Sequence, residues 1–259
     1  MDAALHSTLL TTGEPAAVEV VNPHGAGAVF LICDHASNRV PARLGTLGLS
    51  QAERGDHIAW DPGAADMARR LSAILDAPLV LSGYSRLVVD CNRPLDSPQL
   101  TAAASGGVTV PGNVSISPEE QAARVDALHK PYHDTIEAML EARAGRPTIL
   151  LSIHSFTPDL GDGPRPWRIA IAYGEDDRLA RVLIPALRAD GTVVGDNQPY
   201  MVTPLTDYSI PVHAERRGIL HALVETRQDG IRTREAAEAW AEKLAAAYRR
   251  IEAEALRLA

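Results

Sequence analysis

Four short apolar runs in this chain each end on residues able to do acid–base or metal chemistry. Val29 to Cys33 is followed by Asp34-His35-Ala36-Ser37-Asn38, and Leu87 to Val89 by Asp90-Cys91-Asn92-Arg93. Ile149 to Ile153 is followed by His154-Ser155-Phe156, and Leu220 to Val224 by Glu225-Thr226-Arg227. In open α/β sheets the ligand crevice lies beyond the carboxyl ends of the strands, so these runs deliver their polar residues to one edge. Two histidines at equivalent strand ends point to a metal, because imidazole suits zinc and a catalytic zinc takes three protein ligands plus one open position. His35 and His154 are the expected ligands. The third is Asp61, His57 or Asn38, with the ionised carboxylate of Asp61 the better donor; capping of the helix that begins near Gly63 is the competing role for Asp61. Glu225 emerges from the core where a general base would stand, with partial burial raising its pKa towards neutrality; an ion pair with Arg227 or another arginine at the crevice is the alternative.

The arginines define the substrate class. Arg86 and Asn92-Arg93 flank a short apolar run, and a guanidinium fork binds a carboxylate through two parallel charge-assisted hydrogen bonds. Arg86 is expected to steady the oxyanion of water addition to a carbonyl, and Asn92 and Arg93 to clamp substrate carboxylates. Arg227 and His213 are further candidates for substrate contact, as is His221. His129 and His133, one helical turn apart, are read as surface residues or as residues behind the site. There is no Gly-x-Ser-x-Gly elbow and no P-loop, so serine-hydrolase and phosphate-cradle chemistries lack their markers.

Elements that position these residues follow from pattern. The apolar runs at 29–33, 78–81, 87–89, 149–153, 169–172 and 220–224 are continuous rather than alternating, as in strands covered on both faces. Helices are predicted over 63–76, from the Ser117-Pro118 start towards 144, over 176–189 and over 233–257. Strands alternating with helices predict an α/β three-layer sandwich around a mixed, mostly parallel sheet. The segments 94–116 and 155–168, rich in Gly, Pro, Ser, Thr and Asp, are too long for ordinary connectors and are expected to lie over the site.

Composition narrows the class. The chain has 259 residues, 46% of them hydrophobic, which is enough to bury a core without staples. One domain is expected over 1–259, with residues 1–18 a loose N-terminal segment. A net charge of −8 opposes nucleic-acid binding. No run is long and apolar enough to span a bilayer and the N-terminus lacks a signal-peptide pattern, so a cytoplasmic protein is expected. Cys33 and Cys91, each in an apolar run, are expected to be buried thiols.

The blocks ICDHASNRVP, HIAWDPGA, SRLVVDCNRP, SIHSFTP and VHAERRG…VETRQD resemble those of the N-formylglutamate amidohydrolase family over about residues 20–250. The resemblance implies a fold distantly similar to zinc carboxypeptidases and to the succinylglutamate desuccinylase and aspartoacylase group. It also implies hydrolysis of N-formylglutamate to formate and glutamate, zinc as cofactor with another divalent ion as the alternative, and a small acidic N-acyl amino acid as partner. His35, Arg86, Asn92-Arg93, His154 and Glu225 occur in that larger pattern's order. One departure stands out. The carboxypeptidase-type motif is His-x-x-Glu, whereas Asn38 holds the glutamate position here, so either Asp61 replaces it or metal binding is weakened. The alternatives are a deacylase for another small N-acyl amino acid and a non-catalytic carboxylate-binding protein that has lost its metal.

Overall fold

The computed structural model describes residues 9–161 and 163–259. Its strands are β1 (Val18–Val21), β2 (Val29–Cys33), β3 (Leu79–Ser82), β4 (Ala104–Ser105), β5 (Val108–Thr109), β6 (Ile149–Phe156), β7 (Ile169–Ala172), β8 (Val194–Asp196) and β9 (Leu220–Arg227). Its helices are α1 (Gln51–Gly55), α2 (Ala64–Leu75), α3 (Pro118–Arg124), α4 (Lys130–Glu141), α5 (Arg178–Arg188), α6 (Ser209–His213) and α7 (Arg234–Leu258). Seven strands form one sheet in the order β1-β3-β2-β6-β9-β7-β8, with β4 and β5 a separate two-stranded ribbon. The inner pairs β3-β2, β2-β6 and β6-β9 are parallel, as is β7-β8; β1-β3 and β9-β7 are antiparallel. This is the mixed, mostly parallel sheet that the pattern predicts.

Both faces are covered, which is why β2, β3 and β7 are buried along their whole length. On one face, α2 turns Ala64, Met67, Ala68 and Leu71 inward, and α5 turns Leu179, Leu183 and Leu187. The long α7, capped by the Thr233 hydroxyl on Ala236 N–H, buries an alanine-rich stripe including Ala237, Ala241 and Ala245 in the same core. On the other face, Phe30, Ile32, Val80 and Leu150 pack with Tyr132 and Ile136 of α4 and Ile210 of α6. Gly63 is needed where α2 begins: its φ is +83°, and a Cβ there would lie 2.1 Å from the carbonyl oxygen of Ile231.

Several expectations require correction. Leu87 to Val89 is a buried turn, not a strand. A continuous apolar run reads the same in either conformation, and here its carbonyls are met by side chains instead of a ladder: Asn113 Nδ2 donates to Leu87 O and Arg124 Nη1 to Val88 O. Strands β6 and β9 run three residues beyond the predicted ends, so His154 and Glu225 lie within the sheet as register partners. The helix after Ser117 is interrupted by a wider π-type turn at Val125–His129, with Pro131 just beyond it. Edge strands β1 and β8 and the β4-β5 ribbon go unpredicted. Of the N-terminal segment expected to be loose, residues 1–8 lie outside the described residues. In its remainder Leu9 is buried, and Pro15 O accepts from Tyr84 Oη at 2.8 Å.

Candidate active site

The site forms where β2, β6 and β9 lie side by side. His35 leaves the end of β2, His154 lies on β6, and Glu225 lies opposite it on β9. Asp61 reaches the same point because its backbone N–H donates to His35 O at 3.0 Å. Arg86 is brought in by the turn at Ser85: Arg86 N–H donates to Ala59 O at 3.2 Å and Ser85 Oγ to the same oxygen at 2.7 Å.

His35, Asp61 and His154 are all buried, and one ligand atom from each lies within 4.8 Å of the others. Asp61 Oδ2 is 2.9 Å from His154 Nδ1 and 3.4 Å from His35 Nδ1. Each ring is oriented from behind by a second carboxylate. His35 Nε2 donates to Asp90 Oδ1 at 2.7 Å, and His154 Nε2 to Asp34 Oδ2 at 2.9 Å. This fixes Nδ1 of both rings towards the common point, and a carboxylate behind each imidazole is the arrangement that holds metal-ligating histidines. Two imidazole nitrogens and one carboxylate oxygen are a donor set suited to a divalent ion, so the residues present fit a metal. Asp61 caps nothing. The helix cap is Gly63, without a side-chain bond, and Asp61 Oδ2 additionally accepts from Ser155 N–H at 3.2 Å.

Electrostatics match this geometry. Burial alone would raise the pKa of Asp61, yet His35 and His154 hold it well below the usual carboxylate range. Burial likewise opposes ionisation of Asp34 and Asp90, and both are nonetheless held low, Asp34 chiefly by His154 and Asp90 by Arg86 and His35. Burial disfavours charge on His154, but Asp34 and Asp61 raise its pKa well above normal; on His35, burial and Arg86 are outweighed by Asp90 and Asp61. Glu225 behaves oppositely. Burial pushes its pKa up to about 7, and Oε2 has no hydrogen-bond partner.

These groups open into a cleft of about 640 Å³, a size usual for small-molecule sites. Arg86, Asn92, Arg93, His154 and Glu225 all line it, with His57, Gln99 and Thr206. Arg86 Nη2 pairs with Asp90 Oδ2 at 2.7 Å, and its Nη1 lies 3.3 Å from His35 Nδ1 and 3.8 Å from Asp61. Arg93 donates to the carbonyls of Asn92 and Thr206 and keeps Nε 3.8 Å from Asp90.

Other expected contacts fall elsewhere. Asn92 borders the cleft with three of its four hydrogen-bonding positions engaged: Oδ1 accepts from Tyr208 and Ser209 N–H, both at 3.0 Å, and Nδ2 donates to Asp207 at 3.0 Å. It therefore ties the Asp90 turn to the Ser209 segment, whose hydroxyl donates to Asp34. Arg227 lies outside the cleft lining, its fork closed on Asp229 at 2.8 and 3.1 Å, and does not pair with Glu225. His213 is also outside the lining. Its Nε2 donates at 2.9 Å to His133 Nδ1, and His133 Nε2 donates at 2.8 Å to Cys91 O. His129 and His133 are thus buried, not surface residues. Burial depresses the pKa of all three, that of His213 to about 4, so the stack stays neutral under the Asp90 turn. His57 borders the cleft on the solvent side and pairs with Asp56, and Asn38 Nδ2 donates to Arg54 O, so neither joins the histidine pair. His221 Nδ1 is 2.8 Å from Ile219 O, away from the cleft. Sequence reasoning did not assign Asp34 and Asp90; their signal is an acidic residue directly before His35 and directly before Cys91-Asn92-Arg93. Cys33 and Cys91 are buried free thiols, as expected.

An α/β sandwich with two carboxylate-backed histidines, a third acidic donor and an unpartnered glutamate at one cleft is the architecture of a hydrolytic enzyme. The profile of the N-formylglutamate amidohydrolase family matches residues 27–232, and the chain belongs to that family. Among solved structures it is similar to the gene product Atu2144 from Agrobacterium tumefaciens. That match has 37% identity and a TM-score of 0.89, covering 94% of this chain and 99% of that one. It also shares its fold with an N-formylglutamate amidohydrolase from Ralstonia eutropha JMP134, at 18% identity and a TM-score of 0.69, covering 94% and 99% of the two chains. A metallo-carboxypeptidase from Pseudomonas aeruginosa aligns at 12% identity and a TM-score of 0.45, covering 92% of this chain and 61% of that one. No curated protein matches the sequence. Family membership makes the chain an amidohydrolase, and no helix among the described residues is long and apolar enough to cross a membrane.

Proposed function

We propose that this protein is a zinc-dependent amidohydrolase that cleaves the N-formyl amide of N-formylglutamate to formate and glutamate. The observation that carries the reading is the convergence of His35 Nδ1, His154 Nδ1 and Asp61 beside Glu225, a buried carboxylate with a free oxygen. His35, Asp61 and His154 would hold the ion. When bound, a divalent ion supplies Lewis-acid polarisation of the amide carbonyl and makes water a better nucleophile at neutral pH.

The chain's own residues supply the rest. Glu225 removes a proton from the attacking water as its oxygen bonds to the carbonyl carbon, then passes that proton to the nitrogen as the C–N bond breaks. Its raised pKa suits both roles near neutrality. Arg86, beside His35 and Asp61, faces the oxyanion that develops, and its own bond to Asp90 keeps it oriented. Arg93 engages substrate carboxylate from the other side of Asp90. Asn92 and the His133–His213 stack position the turn that carries Asp90 and Arg93. The family profile supports amide hydrolysis, and the two arginines in the cleft support an acidic substrate.

Zinc-loaded protein is expected to release formate from N-formylglutamate, with Glu225→Gln lowering kcat by about 10²- to 10⁴-fold. Silence in the zinc-loaded protein, or full activity in Glu225→Gln, overturns the reading. A deacylase acting on a larger acyl group is favoured by one observation, the apolar end of the cleft.

A further inference from the structure

The cleft is charged at one end and uncharged at the other, and the sheet order shows which end is which. The arginine-bearing turn follows β3; next across the sheet come β2 with His35, β6 with His154, β9 with Glu225, and β7. Past Glu225 the charged lining stops. Leu223, on the same face of β9 as Glu225, and its cross-strand partner Ala172 on β7 form the floor. Phe156, Tyr200, Met201 and Val202 also line the cleft, with the uncharged Thr157 and Thr203 as their chain neighbours.

Two of these residues lie open to solvent, Met201 at 55% and Tyr200 at 41% relative exposure. The Tyr200 hydroxyl accepts from Arg165 Nη1 at 3.0 Å and the Arg165 guanidinium stands 5.2 Å from the ring centroid, so the phenol's polar end and one ring face are engaged. Exposed apolar side chains gathered at the mouth of a cleft mark a surface meant to be covered by a ligand.

Dimensions decide what that ligand part is. At about 4.8 Å per strand spacing, β2 and β7 stand about 14 Å apart. With a substrate carboxylate at Arg93 and the scissile carbonyl at the histidine pair, a formyl group ends at the pair and leaves the apolar end empty. Across the scissile bond from the carboxylate lies the acyl group. We infer that the cleft is built for an N-acyl amino acid whose acyl group is an apolar chain, which lies against Leu223, Ala172, Met201 and Val202. This rests on the amidohydrolase reading above. The reaction is the same: water's oxygen bonds to the acyl carbon, the C–N bond breaks, and the proton passes through Glu225 to the amine. The products are the chain's carboxylate and the free amino acid.

The test is kcat/KM of the zinc-loaded protein for N-formyl-, N-acetyl-, N-butanoyl- and N-hexanoyl-L-glutamate and for N-formyl-L-leucine. Each buried methylene adds a severalfold gain, so at least a tenfold rise from formyl to hexanoyl is expected. Met201→Asp is expected to lower the hexanoyl-to-formyl ratio at least fivefold. A formyl substrate cleaved as well as or better than the longer acyl compounds overturns this inference and leaves the amidohydrolase reading intact. N-formyl-leucine cleaved faster than N-hexanoylglutamate also overturns it, by assigning the apolar end to the amino-acid side chain. If nothing is cleaved, the amidohydrolase reading fails. Calorimetry on the same zinc-loaded protein then decides the inference: hexanoylglutamate bound at least tenfold tighter than formylglutamate supports the apolar end, and equal binding overturns it.

Discussion

Glu225 is the residue on which the chemistry turns, and its environment makes a signed prediction. Burial raises its pKa to about 7, and a base must be ionised to accept a proton. Activity is therefore expected to fall as pH drops below that value and to level off above it, measured as kcat/KM across pH 5–9; a rate that rises with falling pH would contradict the base role. Behind the histidines, Asp90 and Asp34 hold the Nε2 atoms. Asp90→Asn, which removes the charge but not the shape, is expected to weaken metal affinity about 10- to 100-fold in a competition titration; unchanged affinity would show that Asp90 serves Arg86 alone. His35, His154 and Glu225 were legible because each follows an apolar run. The carboxylates behind them carry no such signal, since a ring's partner depends on which way it turns, and the Asn92 amide, a candidate for ligand binding by its position, makes three hydrogen bonds to residues 207–209.

At the scale of elements, the decisive fact is the β6-β9 register, which sets His154 opposite Glu225. Continuous apolar character revealed both strands, but not that they extend through polar residues to Phe156 and Arg227, because pairing rather than hydropathy sets those ends. The run 87–89 has a strand's hydropathy without a strand's pairing for the converse reason: these apolar residues in a turn satisfy their carbonyls with side chains. Arg124 is the centre of that arrangement. Fully buried, it donates to Val88 O, Gly112 O, Asn113 Oδ1 and Glu120. It thereby ties α3 to the turn below the site and to the 94–116 segment. Arg124→Met strands those acceptors and is expected to cost about 2–4 kcal/mol in urea unfolding. A change below about 1 kcal/mol would mean that the segment holds without it.

For the molecule as a whole, the fold class was readable from alternation of strands and helices, while strand order was not, since pattern names neighbours in sequence and not in space. Order is what makes the cleft: arginines after β3, histidines from β2 and β6, the base on β9 and apolar surface at β7. The buried centre gathers Asp34, Asp61, Asp90 and Glu225 around two imidazoles and Arg86, an acidic surplus that a cation would offset once the imidazoles are neutral, as metal ligands are. Chelation is accordingly expected to lower the Tm and zinc to restore it; an unchanged Tm would contradict a resident ion. The proposed chemistry requires one ion shared by His35, Asp61 and His154. Anomalous diffraction from zinc-soaked crystals tests it most directly. One peak is expected about 2.0–2.1 Å from Nδ1 of both histidines and about 2.0–2.2 Å from an Asp61 oxygen. A peak bound elsewhere, or none at this point, would contradict it.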